Sequence, residues 1–239
     1  WSEFVSAENI DSRIWPRMAA IAERFWSPAE LSDVDSLYRR MDAVSARLEF
    51  LGLMHKSSYL QMMGRMAGTD NIASLRVLAD VLEPVKIYQR PHTARDAKIV
   101  LTSADPLNRM VDAVAPESEA ARIFTKQVDE LVSANFKDAA LESEIRAQLM
   151  VWKANDAELA PRLMKSSLLM ELAPISQDLA NLGAAGIGAL DYIDRGQRPD
   201  DAWKARKMAA IERAKAFKAD LLLPIVPGIE KLVEAAGSR

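Results

Sequence analysis

The chain opens Trp1-Ser-Glu-Phe-Val-Ser-Ala-Glu-Asn-Ile-Asp-Ser-Arg-Ile-Trp-Pro-Arg-Met-Ala-Ala-Ile-Ala-Glu-Arg-Phe-Trp-Ser-Pro28. Residues 1–5 read as a strand end, with Trp1, Glu3 and Val5 on one face and Ser2 and Phe4 on the other. Ser6 to Ser12 is polar and turn-like. Pro16 suits the first turn of a helix, where a missing N–H costs nothing. From Arg17 to Trp26, Met18, Ile21, Ala22 and Phe25 recur at helical spacing, and Ser27-Pro28 ends the run. The local reading is a strand tip followed by a helix.

Beyond this stretch the pattern is helix after helix. Leu37, Met41, Val44, Leu48 and Leu51 predict a helix from about Pro28 to Leu51, stopped by Gly52. Shorter helices are expected over Ser57–Met66 and after Asp70, the latter ending before Pro84. From Glu83 to Pro106 the periodicity fails, and three prolines mark an ordered connection. Helices resume at Leu107–Val114 and Pro116–Phe136. Leu141, Ile145, Leu149 and Trp152 make the next stripe. Another runs from Met164 to Leu182 through Pro174, which is expected to kink it. Gly183, Gly186 and Gly188 either allow close packing or end that helix. Asp200 and Asp201 open a basic helix to about Leu222, and a short helix over Gly228–Ala235 closes the chain.

Composition agrees. Among 239 residues, 49% are hydrophobic and only nine are glycine, with helix formers dominant. A β-sandwich or a complete α/β barrel needs more turn residues. The net charge of −3 argues against a general nucleic-acid footprint. There is no cysteine, so disulfides and cysteine-based metal sites are excluded; two histidines nearly exclude a histidine-rich site, while composition leaves carboxylate sites open, and no metal site and no cofactor is expected. No run reaches the roughly 18 apolar residues of a membrane span. The chain starts without an initiator Met, so an upstream segment is expected, and an export signal could lie within it. The compartment stays open; a periplasmic or secreted parent is compatible with the sequence.

On spacing alone, Trp1-x-Glu3 reads as an ordinary chain end rather than a site. The next block carries more. Asp11, Arg13, Trp15, Pro16, Arg17, Ala20, Ala22, Glu23, Arg24 and Trp26 fall in the order D-x-R-x-W-P-R-x-x-A-x-A-E-R-x-W. This closely resembles the signature after the last barrel strand of glycoside hydrolase family 20, the β-N-acetylhexosaminidases, and covers about an eighth of the chain. The segments around Pro84-Val85-Lys86 and from Asp105 to Ser118 are more weakly similar to helical C-terminal extensions of bacterial members.

The resemblance implies that residues 1–28 are the last strand and helix of a (β/α)8 barrel, whose site lies at the strands' C-terminal ends. Residues 29–239 are then an all-α C-terminal domain, with a split into two subparts near 83–106 left open. Trp1 would form part of the wall under the terminal sugar, and Glu3 would accept hydrogen bonds from its hydroxyls. Arg17, Glu23 and Arg24 would be structural ion-pair partners. The family's catalytic Asp-Glu pair lies upstream of these positions. Asp129-Glu130 sits in an amphipathic helix and reads as a solvated face. No catalytic residue is therefore expected here, and the chain alone is expected to be an inactive portion of a retaining, substrate-assisted hydrolase. Its partners would be the upstream barrel and, in the intact enzyme, an N-acetylhexosaminide. The alternative is a helical interaction or homodimerisation module. His55 and His92 read as surface or capping residues, Met62, Met63 and Met66 as core, and Trp152 and Trp203 as anchors between helices.

Overall fold

The computed structural model describes residues 4–102 and 104–238. Among these the chain is helical, apart from one pair of two-residue strands. It begins with α1 (Ile10–Ile14), α2 (Arg17–Trp26), α3 (Val34–Phe50), α4 (Ser57–Ala67) and α5 (Ala73–Ala79). Then come β1 (Glu83–Pro84), α6 (Gln89–Asp96) and α7 (Met110–Ala113). The longer helices α8 (Glu119–Ser133), α9 (Ala139–Leu163), α10 (Ala173–Asp194) and α11 (Asp201–Lys215) come next, and β2 (Leu221–Leu222) and α12 (Val226–Gly237) complete the order.

Several boundaries depart from the sequence reading, each for a local reason. Phe4 lies in a turn, and the stretch read as a loop enters α1 at Ile10. There Asn9 Oδ1 accepts the Ser6 N–H at 2.8 Å, and the Asn9 carbonyl accepts Ser12 Oγ–H at 2.7 Å. α3 starts at Val34 because Asp33 caps it, accepting the Ser36 N–H at 2.9 Å. Its end is as expected. Gly52, at φ 98°, donates to Glu49 O while Leu53 donates to Leu48 O, so the last carbonyls are satisfied in a Schellman motif. Pro174 does not kink a long helix. The chain turns after Leu163, passes a 3₁₀ turn at Met170–Leu172, and Pro174 sits in the first turn of α10. α11 stops at Lys215, and Leu221–Leu222 pairs antiparallel with Glu83–Pro84.

The core lies where α9 and α10 run side by side, with α5, α8 and α12 packed around them. Trp152 is 1% exposed and meets Phe124 edge-on, with 4.7 Å between centroids. Gly183 lets α10 touch the α9 backbone, and Gly186 faces Leu149 closely enough that a Cβ would overlap its methyls. The glycines therefore serve close packing within α10. Met62, Met63 and Met66 join the core as expected. Arg109 ties the domain's loops together, reaching Glu171 at 2.8 Å and Asp220 at 2.7 Å. Among the described residues no helix is long and apolar enough to cross a membrane.

Candidate functional site

Trp1 and Glu3, for which the family resemblance implies sugar binding, lie outside the described residues. The segment from Phe4 onward is held by α7. This four-residue helix is buried throughout, and its Asp112 is fully buried. Asp112 Oδ1 accepts from Arg90 Nη1 at 2.6 Å, and Oδ2 accepts the Arg109 N–H at 3.0 Å. A buried carboxylate is tolerated because both oxygens are satisfied and one partner is cationic.

The carbonyls at the end of α7 are served by the N-terminal block. Arg13 donates from Nη1 to Val114 O (3.0 Å), and from Nη2 to Asp112 O (2.8 Å) and Val111 O (3.2 Å). A guanidinium at a helix C-terminus satisfies orphan carbonyls and complements the dipole. Burial lowers its pKa to about 10, with Asp112 opposing and Arg17 and Arg90 adding to the shift, so it stays charged at neutral pH. Asn9 Nδ2 bridges Asp112 O (3.2 Å) and Phe4 O (3.4 Å). Arg90 stacks on the Phe4 ring, its Cζ 3.9 Å from the centroid.

The remaining motif residues also serve structure. Asp11 Oδ2 accepts the Met54 N–H at 2.9 Å. Of the three expected ion-pair residues, Glu23 alone forms one among the described residues, with Arg40 on α3. Arg17 donates to Arg13 O, and Arg24 donates to the carbonyls of Pro28, Ala29 and Leu31. Both guanidiniums are thus spent on backbone carbonyls beside the ends of α1 and α2.

A cleft of about 1490 Å³ opens beside this block, lined among others by Trp15, Arg17, Tyr38, Tyr59, Glu117 and Arg122. Its polar groups are mostly engaged. Arg122 lies 3.6 Å over the Tyr38 ring, and Tyr59 donates to Asp80 Oδ1 at 2.8 Å. Burial first, then Asp80, pushes the Tyr59 phenol far up, so it keeps the proton that it donates to Asp80. Burial lowers the pKa of Arg17, with Glu117 opposing.

At the cleft margin the structure corrects the reading of His55 as a surface or capping residue. It is 7% exposed, with Nε2 2.6 Å from Ser45 Oγ and Nδ1 3.3 Å from Glu49 Oε1. That set resembles a nucleophilic triad in composition only. Ser45 is 1% exposed in the middle of α3, where the backbone N–H groups belong to the helix and cannot form an oxyanion hole. The set is a clasp: Glu49 also accepts the Lys56 and Ser57 N–H groups at the start of α4. Ser45 and Glu49 at i and i+4 are the available signal, but their partner lies beyond a turn. His92 is exposed on α6. Among the described residues, no group of three or more His, Cys, Asp or Glu is placed to hold a metal ion.

Comparison with known proteins agrees with this distribution. Residues 1–29 match the model of the glycosyl hydrolase family 20 catalytic domain. The chain is similar to the β subunit of β-hexosaminidase from Mus musculus, 37% identical over 59 residues, which cover 25% of this chain and 11% of that protein. It is similar to β-hexosaminidase A of Caenorhabditis elegans, 45% identical over 49 residues, or 20% of this chain and 9% of that one. It also superposes on the X-ray structure of Flavobacterium johnsoniae chitobiase with a TM-score of 0.84 and 28% identity, over 98% of this chain and 34% of that one. The matches thus span about a tenth of the length of the curated relatives and about a third of the chitobiase. The motif that anchors α7 is the part that matches the family 20 catalytic-domain model, and the helical body behind it follows the chitobiase throughout.

Proposed function

We propose that the chain is the C-terminal portion of a β-N-acetylhexosaminidase that removes terminal N-acetylhexosamine residues. On this reading residues 1–28 complete a catalytic barrel, and residues 29–239 form a helical domain that braces it. Trp1 supplies an aromatic face for the sugar's C–H side, and Glu3 accepts hydrogen bonds from its hydroxyls. The acid and the group that orients the acetamide lie upstream, so this chain supplies binding and support.

The observation that carries the reading is where apolar surface remains uncovered. α2 has no buried residue, although it carries Met18, Ile21, Phe25 and Trp26 on the stripe that a packed helix needs. Phe25, Trp26 and Phe50 are 83%, 90% and 89% exposed. Single exposed hydrophobics are ordinary, but a run of large ones over two adjacent helices marks a contact surface. A missing barrel would cover this side.

The chain alone should not hydrolyse an aryl N-acetylglucosaminide; turnover above a buffer blank would overturn the assignment of catalysis to the upstream part. In the full-length enzyme, Glu3→Gln should raise KM or lower kcat, and unchanged kinetics would remove Glu3 from the site.

A second reading is self-association through the helical domain. Ile87, Tyr88, Ile99 and Val100, which flank α6 in the sequence, are also exposed. Sedimentation of the chain beside the full-length enzyme separates the two. A dimer of the chain lost on Ile87→Asp favours self-association; a monomer favours the barrel contact alone.

A further inference from the structure

We propose that the seam between α9 and α11 binds a phosphate group through Lys153, Arg206 and Lys207. α11 runs back along α10. Trp203 meets the Tyr192 ring edge-on at 5.1 Å, and a Cβ added at Gly188 would lie 3.0 Å from the Trp203 ring. Lys207 is one turn, about 6 Å, further along α11 and so comes level with the middle of α10. On the other side, a Cβ at Gly183 would lie 2.8 Å from Lys153 N, which sets Lys153 of α9 against the same part of α10. Gly183 and Gly188 are about 140° apart around α10, and Ala180 and Ala184 fall between them. These half-buried alanines floor the seam, with Ile187 a turn further toward Tyr192. Over that low floor, ammonium groups from opposite walls can reach one anion.

The charge of this seam is uncompensated. Among the described residues Lys153, Arg206 and Lys207 form no ion pair, and the surrounding acids are spent elsewhere. Asp191 and Asp194 hold Arg146 at 2.6 and 2.7 Å, and Asp156 accepts the Ser176 hydroxyl at 2.6 Å. Glu212 and Glu230 hold Lys215 at 2.6 and 2.7 Å, and Asp178 holds Lys218 at 2.5 Å. The basic helix read from the sequence thus divides: its C-terminal end is balanced and its middle is not. Lys207 bears the cost. It is half-buried, and burial first, then the Arg206 and Lys153 charges, lowers its pKa from the ordinary lysine value. The Trp203 ring, 5.9 Å from Nζ, lies at the outer limit of a cation–π contact. Three crowded cations without a counter-ion match a multiply charged anion better than a single carboxylate. Ammonium and guanidinium groups bind phosphate oxygens through charge-assisted hydrogen bonds. Phosphate binding here is independent of the assignment of residues 1–28 to a sugar site.

The test titrates inorganic phosphate into the full-length protein by calorimetry at about pH 8, where the dianion dominates, with sodium chloride holding the ionic strength constant. Lys153→Gln and Lys207→Gln should each weaken binding about ten-fold, the scale of one charge-assisted hydrogen bond. Lys207→Arg keeps the charge and should stay within about three-fold of the parent. Lys137→Gln, which removes an exposed charge between α8 and α9, should leave binding unchanged. If Lys207→Gln fails to fold, Lys153→Gln, exposed on α9, decides alone. Vesicles of phosphatidylglycerol separate the sources of the phosphate. Binding to free phosphate that the two variants lose assigns a soluble ligand; binding to vesicles alone, lost in the same variants, assigns a lipid headgroup. No binding in either arm, binding that Lys153→Gln and Lys207→Gln retain, or an equal loss in Lys137→Gln overturns the proposal.

Discussion

Gly183→Ala tests the packing that holds the helical body together. An ideal Cβ at this position would lie 2.7 Å from Leu149 O and 2.8 Å from Lys153 N. Both are backbone atoms of α9, so no rotamer change relieves the overlap. Alanine inside a helix normally gains about 1 kcal/mol over glycine. Overpacking against groups that cannot yield costs about 3 kcal/mol, the upper part of the usual range, leaving a net loss of about 2 kcal/mol. For a chain of this length that corresponds to a fall in Tm of about 4–8 °C. Gly64→Ala is the matched control. Its Cβ would meet only Thr69 O at 3.8 Å, an ordinary contact, and the residue lies within α4. There the propensity gain should stand alone, stabilising by about 0.5–1 kcal/mol. Urea denaturation followed by far-ultraviolet circular dichroism gives both values, provided the slope m is unchanged. If Gly183→Ala matches or exceeds the parent while Gly64→Ala stabilises, α9 and α10 are not in backbone contact and the account of the core is wrong.

Trp152→Ala should cost about 3–5 kcal/mol in the same assay, since it empties a fully buried site and removes the edge-on contact with Phe124; a loss below about 1 kcal/mol would contradict the burial. His55 supplies a pH dependence. Burial holds its imidazole below the ordinary 6.5, with Glu49 opposing. The folded state therefore favours the neutral ring, and its stabilisation is fully present above about 6.5 and lost as pH falls, because the unfolded chain takes up a proton that the native state refuses. Urea midpoints at pH 7.5 and 5.5 should show this decline, and His55→Gln should flatten it. The same decline in both proteins would assign it to other groups.

The helical class is legible in the sequence wherever an apolar stripe coincides with a stop signal. α4 and the end of α3 are examples, the latter because Gly52 is needed at positive φ. Legibility fails where tertiary contacts replace such signals. α6, Gln-Arg-Pro-His-Thr-Ala-Arg-Asp, has no apolar periodicity, and a proline stands in its first turn. Its Arg90 finds its partner on α7, and no local pattern reports that. The leucine stripe after Met164 is real, but it continues across a turn, and periodicity alone cannot tell a kink at Pro174 from a helix that begins there. His55 escapes notice for a related reason. Its burial depends on α3 and α4 meeting across a loop.

The motif that points to the family illustrates the same division between spacing and contact. Its residues look like a site because they are charged and aromatic in a fixed order. In the fold, Arg13 closes the end of α7, Asp11 holds the α3–α4 loop, Glu23 pins α2 to α3, and Arg24 closes the turn between them. Among the described residues each of these groups is engaged by a backbone group or an ion-pair partner. The order is fixed because one short segment must meet several separate partners at once, and each partner sets one position. Such a segment can be as demanding of sequence as an active site while performing no chemistry.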